Sequence, residues 1–487
     1  MRNFDRIKLL LLALLLLSSC SGKDTEDTAT ETSAESIVAE AVTQTDSETD
    51  NMVTDDLPQV DYEGYSFRIL GAENDIPMLL VEETNGSPVN DAVFQANAAV
   101  EDRLNIVLTE VKLSSWNDAP AIRKSIDAGT DDLDLGVCHD ITAGNLSLDG
   151  LFCNLREIPH LDFTKPWWPS FTVDSLTVNG KMYLYSNYSG YNGLRGTKNM
   201  YVNLEKLQDL SLDSPYDMVR NQEWTLDRVI EMTKGIYTDL NGDGERTRDD
   251  FYGFAFTGLF YGWLENFGVE AYTHAEDGKT VELTLNNDRT VQIVDTVKGW
   301  LYNGNEGVYY KSKHKSLHDT DSYPVMFADG NCLFTYGSLY VLLDELVNAD
   351  VVYGILPMPL LDETQESYLG VCYDSPMWIP TTVSDMDRTG VVVEAMSIEG
   401  YRTILPAYKD VALKNRYTVD KDSAEMLDII FANRLLSFSY IYGGDQGFQQ
   451  ILNTLIPSDS LQFASYYTAN EPKELKRIAE INAAFSD

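Results

Sequence analysis

Apolar runs and amphipathic stretches alternate along the chain from about residue 60. Tyr65–Gly71, Asn105–Val111 and Leu133–Cys138 have the length and the apolar composition of buried strands. The stretches 91–104 and 119–128, which lie between these runs, show the spacing of helices with one apolar face. This β-α-β-α-β order predicts an α/β protein with a doubly wound parallel sheet.

The segment 325–359 predicts a strand, a helix and a second strand in close succession. Cys332–Tyr336 forms the first strand, Ser338 caps the helix, and Val351–Leu356 forms the second strand. One face of the helix carries Leu339, Leu342, Leu343 and Leu346. The order implies a parallel pair of strands joined by a right-handed crossover. Tyr336 and Tyr340 would then lie at a strand's carboxyl end, either beside a ligand crevice or half-buried in an ordinary turn.

The first 60 residues predict export rather than a folded element. Residues 1–19 combine a basic start with the apolar run Leu9–Leu17, which is typical of a signal peptide and too short to span a membrane. Leu17-Ser18-Ser19-Cys20 has the order of a bacterial lipobox, so we expect Cys20 to carry lipid; an ordinary secretory signal is the alternative. Residues 20–60 are polar and acidic, and their composition predicts a disordered tether.

Charge and cysteine usage narrow the class of protein further. The formal net charge is −41, which argues against nucleic acid or an anionic lipid surface as a partner. The remaining residues, about 425, are enough for two domains with sizeable cores. Besides Cys20 there are four cysteines, Cys138, Cys153, Cys332 and Cys372. They could form the disulfides Cys138–Cys153 or Cys332–Cys372, but their apolar neighbours favour reduced core residues.

Several segments together resemble extracellular solute-binding protein family 1, the carbohydrate-type receptors of ABC importers. Residues that match the family's pattern in the segment 325–359 are Phe327, Gly330, Cys332, Leu333, Gly337, Leu343, Gly354, Pro357 and Pro359. Val178–Leu184 resembles a hairpin of the family, Met200–Leu207 resembles the first strand and helix of its second lobe, and Glu223–Asp227 resembles a helix start with Thr225 as the cap.

The resemblance implies a two-lobed periplasmic-binding-protein-like fold of type II, with a hinge between the lobes. Lobe one would comprise 61–184 and the return segment 369–420, lobe two would comprise 185–368, and the helical region 421–487 would pack mainly on lobe two. The implied function is a receptor, anchored through Cys20 at the outer face of the cytoplasmic membrane, that binds a sugar or oligosaccharide. Its implied partners are the solute and the permease subunits of an ABC importer, and it would be a monomer.

Aromatic residues near predicted strand ends are the candidate ligand contacts. Tyrosine and tryptophan offer flat apolar area together with a polar group, which suits the faces of sugars. The candidates are Trp116, Tyr188, Tyr191, Trp263, Tyr336, Tyr340, Trp378 and Tyr442, with Asp374 in a loop that would face the cleft. Trp116 could equally be a partly buried surface anchor. The loops 71–74, 114–117 and 139–140 follow the first three strands and should face the same cleft.

The stretch Asp239–Asp250 follows the D-x-N-x-D-G pattern of a calcium loop. Asp239, Asn241 and Asp243 would supply side-chain oxygens, Glu245 its backbone carbonyl, and Asp250 the twelfth position, where the longer glutamate is usual. The sequence therefore predicts a structural calcium ion; the alternative is an acidic surface turn. We expect no cofactor for chemistry.

Motifs of the common hydrolases and nucleotide-binding enzymes do not occur in the sequence, so we predict that the protein is not an enzyme. A carboxylate pair for glycoside hydrolysis is a spatial arrangement and leaves no local motif. An exported cell-surface enzyme that acts on glycosides, or a carbohydrate-adhesion module, therefore stays as the alternative function.

Overall fold

A computed structural model describes residues 55–256, 260–304, 306–310, 323–346, 349–373, 375–409 and 421–486. The predicted signal segment 1–19, Cys20, most of the predicted tether and Asp374 lie outside these residues. The strands are β1 (Tyr65–Ala72), β2 (Ile106–Leu113), β3 (Leu135–Val137), β4 (Lys198–Asn203), β5 (Tyr237–Thr238), β6 (Phe251–Phe256), β7 (Tyr272–His274), β8 (Val281–Leu283), β9 (Val308–Tyr310), β10 (Cys332–Ser338), β11 (Tyr353–Leu356), β12 (Gly370–Cys372), β13 (Met377–Trp378) and β14 (Arg434–Leu436).

The α-helices are α1 (Pro88–Leu104), α2 (Ala119–Asp127), α3 (Asp140–Leu148), α4 (Ser170–Leu176), α5 (Asn192–Arg195), α6 (Leu204–Asp209), α7 (Pro215–Arg220), α8 (Leu226–Thr233), α9 (Trp263–Asn266), α10 (Asp288–Leu301), α11 (Tyr323–Ala328), α12 (Val341–Asp344), α13 (Met386–Glu399), α14 (Lys421–Ala432), α15 (Phe438–Tyr442), α16 (Ile451–Leu455) and α17 (Phe463–Ala484). Short 3-10 helices span Ile76–Met78, Leu155–Glu157 and Phe448–Gln450, and a π-helical turn, Gly400–Ile404, follows α13.

The first sheet has the strand order β13-β3-β1-β2, and we call it, with the helices packed on it, lobe one. β1 runs parallel to both β2 and β3, whereas β13 is antiparallel to β3. Phe67 and Ile69 of β1 are fully buried, because β1 lies inside the sheet with a strand on each side. The predicted parallel arrangement of the first three strands is therefore confirmed.

The second sheet has the order β11-β4-β10-β6-β5, with β9 paired to β6, and forms lobe two. β10 and β11 both pair with β4 and run antiparallel to it. β10 and β11 therefore run parallel to each other, as predicted, but the prediction that they pair directly is wrong, because β4 lies between them. The residues of β4 are almost all buried, which is expected of a strand at the centre of a core.

The predicted helix after β10 is also wrong in its start and length. The strand continues through Gly337 and Ser338, which pair with Asn199 and Lys198 of β4. Ser338 therefore belongs to the sheet and does not cap a helix, and α12 comprises a single turn. Tertiary pairing with β4 overrides the local helical pattern here. Thr225, in contrast, caps α8 as predicted, since its hydroxyl accepts a hydrogen bond from the backbone N–H of Arg228 at 3.4 Å.

The C-terminal helices contact both lobes. α14 packs on β11 of lobe two, whereas α15 packs on α3 of lobe one. Gly144 of α3 lies against Ile441 of α15 so closely that a Cβ atom at Gly144 would be 2.1 Å from the Ile441 carbonyl oxygen. Arg477 of α17 donates to the carbonyl of Tyr442 at 2.6 Å. The region after residue 421 therefore contacts both lobes.

The four described cysteines, Cys138, Cys153, Cys332 and Cys372, are all free, and three of them are buried. This agrees with the interpretation of these cysteines as reduced core residues.

Within the described residues, no helix has both the length and the hydropathy needed to cross a membrane.

Candidate ligand-binding cavity

The loops that follow β1, β2 and β3 meet at one edge of the lobe-one sheet. The carboxyl ends of parallel strands lie on the same side of a sheet, where open α/β sheets bind ligands. The loop after β2 is held in a defined shape, because Asp118 caps α2 by accepting from Ala121 N–H at 3.1 Å. His139, after β3, donates its backbone N–H to the Trp116 carbonyl at 2.9 Å. These bonds join the second and third loops into one surface.

Trp116 is presented to solvent by this arrangement. Its side chain is 41% exposed, whereas the other tryptophans are all buried. One edge contact supports its ring, since the centroid of the His139 imidazole lies 4.3 Å away at an interplanar angle of 84°. An accessible indole is the kind of flat apolar surface on which a ring-shaped ligand packs.

The opposing wall comes from the segments that connect the lobes and from the end of β10. Tyr340, just after β10, donates its backbone N–H to the Arg195 carbonyl at 2.8 Å. The Arg195 guanidinium lies 5.5 Å from the centroid of the Tyr340 ring, within the range of a cation–π contact. α5 thus places a cationic group beside an aromatic ring of lobe two.

The two walls enclose a cavity of about 370 Å³, which lies within the usual size range of small-molecule sites. It is lined by Asn74, Asp75, Met78, Trp116, Asp140, Asn192, Arg195, Gly196, Tyr340, Tyr373 and Ser375. Each of the three predicted lobe-one loops contributes a residue to this lining, and lobe two contributes Tyr340. A smaller cavity of about 20 Å³ shares Asp75, Met78, Asn192 and Ser375 with it.

Asp75 is a buried polar group of the cavity. Its side chain is 4% exposed, and Oδ1 accepts a hydrogen bond from the Ser375 hydroxyl at 2.6 Å. Oδ2 is buried and has no hydrogen-bond partner among the described residues. Burial raises the pKa of Asp75, while the Ser375 bond and the charge of Arg195 oppose that shift. A buried carboxylate oxygen without a donor is energetically costly and suits an O–H or N–H group of a ligand.

Trp116 and Tyr340 are the two predicted contact residues that line the cavity. Tyr191 lies beside it, with its backbone N–H donated to the Met78 carbonyl at 3.3 Å and its ring 5.8 Å from that of Tyr408. The Tyr188 hydroxyl accepts from Arg434 at 3.2 Å, outside the lining. Asp374 lies outside the described residues, although its neighbours Tyr373 and Ser375 line the cavity.

The remaining predicted contacts lie in cores, which corrects the expectation that an aromatic residue near a strand end faces the cleft. Trp263, Tyr336, Trp378 and Tyr442 are each at most 2% exposed. The Trp378 indole N–H donates to the sulfur of Cys138 at 3.3 Å. The rings of Trp263 and Tyr336 are 5.3 Å apart, and that of Tyr442 is 4.5 Å from Phe438. In this conformation none of these four rings offers a face to the cavity.

Several polar residues that line the cavity are not among the contact residues predicted from the sequence. Asp75 directly follows the predicted loop 71–74, and Tyr373 and Ser375 flank the predicted Asp374. Asn192 and Arg195 follow the predicted contact residue Tyr191 within four positions of the sequence. The local sequence predicted the position of these loops to within a few residues. Which residue of each loop lines the cavity depends on the conformation of the loop.

The predicted calcium loop is closed by hydrogen bonds of its own carboxylates. Asp239 accepts from the backbone N–H groups of Gly242 at 2.6 Å and Gly244 at 2.9 Å. Asp250 is fully buried, and its oxygens accept from the N–H groups of Leu240 at 3.2 Å and Thr247 at 3.1 Å.

The other predicted ligands also bond within the turn. Asn241 Oδ1 accepts from Asp243 N–H at 3.0 Å, and Asp243 Oδ1 accepts from Glu245 N–H at 2.7 Å. Across the described ranges, no group of three or more His, Cys, Asp or Glu side chains is arranged to hold a metal. Calcium binding stays a prediction.

No protein-family model matches the sequence, and no curated protein is significantly similar to it. Solved structures are similar in fold. A sugar transporter of Rhizobium etli in an open conformation is 13% identical and has a TM-score of 0.54, covering 87% of this chain and 99% of its own. UspC of M. tuberculosis is 14% identical, also with a TM-score of 0.54, and the alignment covers 86% of this chain and all of UspC. The chain therefore has the α/β fold of these two structures.

Proposed function

We propose that this protein is a receptor that binds a neutral sugar or oligosaccharide between its lobes and delivers it to an ABC importer. The observation that carries the proposal is the 370 Å³ cavity, to which each lobe contributes one accessible aromatic ring, Trp116 and Tyr340. The two-lobed fold is consistent with this use, because a ligand that touches both lobes stabilises their closed arrangement.

The charges of the lining favour a ligand rich in hydroxyl groups. Asp75 and Asp140 supply buried carboxylates, and Arg195 supplies a guanidinium group. Carboxylates accept hydrogen bonds from hydroxyls, whereas an anionic solute would meet two like charges. Asn74 and Asn192 can both donate and accept. A neutral saccharide satisfies this set of groups without burying an unpaired charge.

The cellular setting is part of the proposal. Lipidation of Cys20 would hold the receptor at the outer face of the cytoplasmic membrane, and residues 20–60 would act as a tether. The proposed partner is the permease of an importer. The binding domain needs no cofactor for this function.

A melting-temperature screen against neutral mono- and oligosaccharides tests the proposal. A ligand that binds only the folded state raises the melting temperature as its concentration exceeds Kd. Calorimetry on a hit should then show that Trp116→Ala and Tyr340→Ala each weaken binding about ten- to thirtyfold, as expected for the loss of an aromatic contact.

The matched control is Val291→Ala, which removes an exposed apolar side chain from α10, outside the cavity lining. It should leave affinity unchanged. If no saccharide shifts the melting temperature, the proposed function is wrong. If a saccharide binds and both aromatic variants keep wild-type affinity, the function stands but this cavity is not the site.

A further inference from the structure

The carboxyl groups of Glu265 and Glu270, on the lobe-two side, both contact the hydroxyl of Ser437 in the C-terminal region. The Ser437 hydroxyl lies 2.9 Å from Glu265 Oε1 and 3.1 Å from Glu270 Oε2. Glu265 belongs to α9 and is 2% exposed. Ser439 also donates to Glu270. We call Glu265, Glu270, Ser437 and Ser439 the carboxyl joint.

Hydrogen-bond counting shows that the joint lacks a proton if both carboxyl groups are ionised. A serine hydroxyl has one hydrogen to donate and two lone pairs that accept. Ser437 accepts from the backbone N–H of Tyr440 at 3.0 Å, because it caps α15. Its single hydrogen cannot serve both Glu265 and Glu270. One of the two short oxygen–oxygen contacts would then lack a hydrogen and would be repulsive.

A proton on Glu265 supplies the hydrogen that is missing between Glu265 and Ser437. Glu265 would donate to the second lone pair of Ser437, and Ser437 would donate to Glu270, which also accepts from Ser439. The other oxygen of Glu265, Oε2, is buried without a partner among the described residues. An unpaired oxygen costs less in a neutral carboxyl than in a carboxylate. The hydroxyl oxygens of Ser437 and Ser439 lie 3.2 Å apart, and this longest contact of the joint is then left without a hydrogen.

Among the described residues, no positively charged group lies at hydrogen-bond distance from Glu265. Burial raises the pKa of Tyr336, Tyr373 and Tyr440, and the negative charge of Glu265 raises the pKa of each of them further. The charge of Glu270 likewise adds to the effect of burial on the pKa of Glu265. The amine of Lys198 lies 5.6 Å from the Tyr336 ring centroid and 5.2 Å from that of Tyr373. Burial lowers the pKa of Lys198 to about 8. Asp140, at the start of α3, adds further negative charge near Tyr373 and Tyr440.

We propose that Glu265 keeps a proton in the folded protein, and that this proton ties lobe two to α15, the helix seated on lobe one. The link is continuous: α9 packs in the aromatic core of lobe two through Trp263, 5.2 Å from Phe256. Ser437 caps α15, and α15 contacts α3, whose first residue Asp140 lines the cavity. Loss of the proton places two carboxylates on one hydroxyl at the junction of the lobes.

The sign of the pH effect follows from the protonation states. Burial and the charge of Glu270 raise the pKa of Glu265 well above 4.5, its ordinary value. Between 4.5 and that raised pKa the folded state holds a proton that the unfolded chain has released. The free energy of unfolding therefore falls as the pH rises through this window. The joint is strongest in mild acid and weakens in alkali.

Thermal melting of Glu265→Gln from pH 5 to pH 9 tests the proton. The amide donates to Ser437 as the protonated carboxyl would and does not titrate. At pH 8 and above this variant should melt about 2 °C or more above the wild type, with the two curves converging toward pH 5. If Glu265→Gln melts below the wild type at pH 8, the fold needs the ionised carboxylate and the proposal is wrong.

Two control variants make the assignment specific. Glu270→Gln, whose amide oxygen can still accept from both hydroxyls, should keep a melting temperature that falls from pH 5 to pH 9, because Glu265 still titrates. A curve as flat as that of Glu265→Gln would instead put the proton on the wrong glutamate. Glu394 accepts from the indole N–H groups of Trp167 at 2.7 Å and Trp168 at 2.8 Å. Glu394→Gln should be destabilised even in acid, since an amide N–H would face an indole N–H.

Small-angle X-ray scattering of the ligand-free protein tests the coupling to the lobes. The radius of gyration of the wild type should increase between pH 6 and pH 9, whereas that of Glu265→Gln should stay constant. A wild-type radius that does not change over this range overturns the coupling, and neither result depends on the identity of a ligand.

Discussion

At the scale of single residues, Trp116 and Asp75 line the same cavity in different environments. Trp116 is exposed and supported on one edge by His139. Asp75 is buried, and one of its oxygens is held by Ser375 while the other has no donor among the described residues. Under the proposed function, Trp116 supplies area to the ligand and Asp75 supplies an acceptor that requires a ligand hydroxyl.

The substitution Asp75→Asn should weaken ligand binding without lowering the stability of the fold. The amide oxygen can still accept from Ser375, but an NH₂ group replaces the acceptor Oδ2. We expect saccharide affinity to fall about tenfold or more, because a hydrogen bond to a charged acceptor is lost. The melting temperature should stay at or above that of the wild type, since a buried charge is removed.

Calorimetry and thermal melting check both expectations for Asp75→Asn. The control is Asp149→Asn, an exposed aspartate outside the cavity lining, which should change neither quantity. Unchanged affinity for Asp75→Asn would show that Oδ2 does not face the ligand.

At the scale of elements, the contact between α3 and α15 joins the cavity to the C-terminal region. It depends on the absence of a side chain at Gly144, because a Cβ atom there would lie 2.1 Å from a backbone oxygen. Backbone cannot move aside as the end of a flexible side chain can. The close approach of the two helices therefore requires glycine at this position.

Two helix glycines should respond to alanine in opposite directions. Gly144→Ala should destabilise the protein by about 1–3 kcal/mol through overpacking against α15. Gly299 in α10 has no atom within 4 Å of its Cβ position, so Gly299→Ala should stabilise the protein by about 0.5–1 kcal/mol through helix propensity. Denaturant unfolding measures both; equal effects of the two variants would contradict the assigned contact.

At the scale of the whole molecule, the predicted calcium loop contacts two other segments of lobe two. Arg246 donates to the Glu306 carbonyl at 2.7 Å, and Arg248 pairs with Asp329 at 3.1 Å. An ion bound in Asp239–Asp250 would strengthen these attachments and would raise the stability of the native state.

Melting of the intact protein should therefore rise with calcium concentration. Asp239→Ala combined with Asp243→Ala should abolish the response. Magnesium at equal concentration is the control for general screening of the net charge of −41. A wild-type melting curve that is indifferent to both calcium and a chelator would show that the carboxylates close the loop without an ion.

Features that depend on neighbouring residues could be predicted from the amino-acid sequence alone. Apolar periodicity identified β1, β2 and β3 and their parallel order, Thr225 was recognised as a cap, and the loops at the strand ends led to Trp116. The tertiary structure decided the features that depend on distant residues. β4 enters between β10 and β11 from more than a hundred residues away, which turned the predicted helix at Ser338 into strand. Burial likewise decided that Trp263 and Trp378 are core residues, because the environment of a side chain depends on what packs against it and not on the turn that carries it.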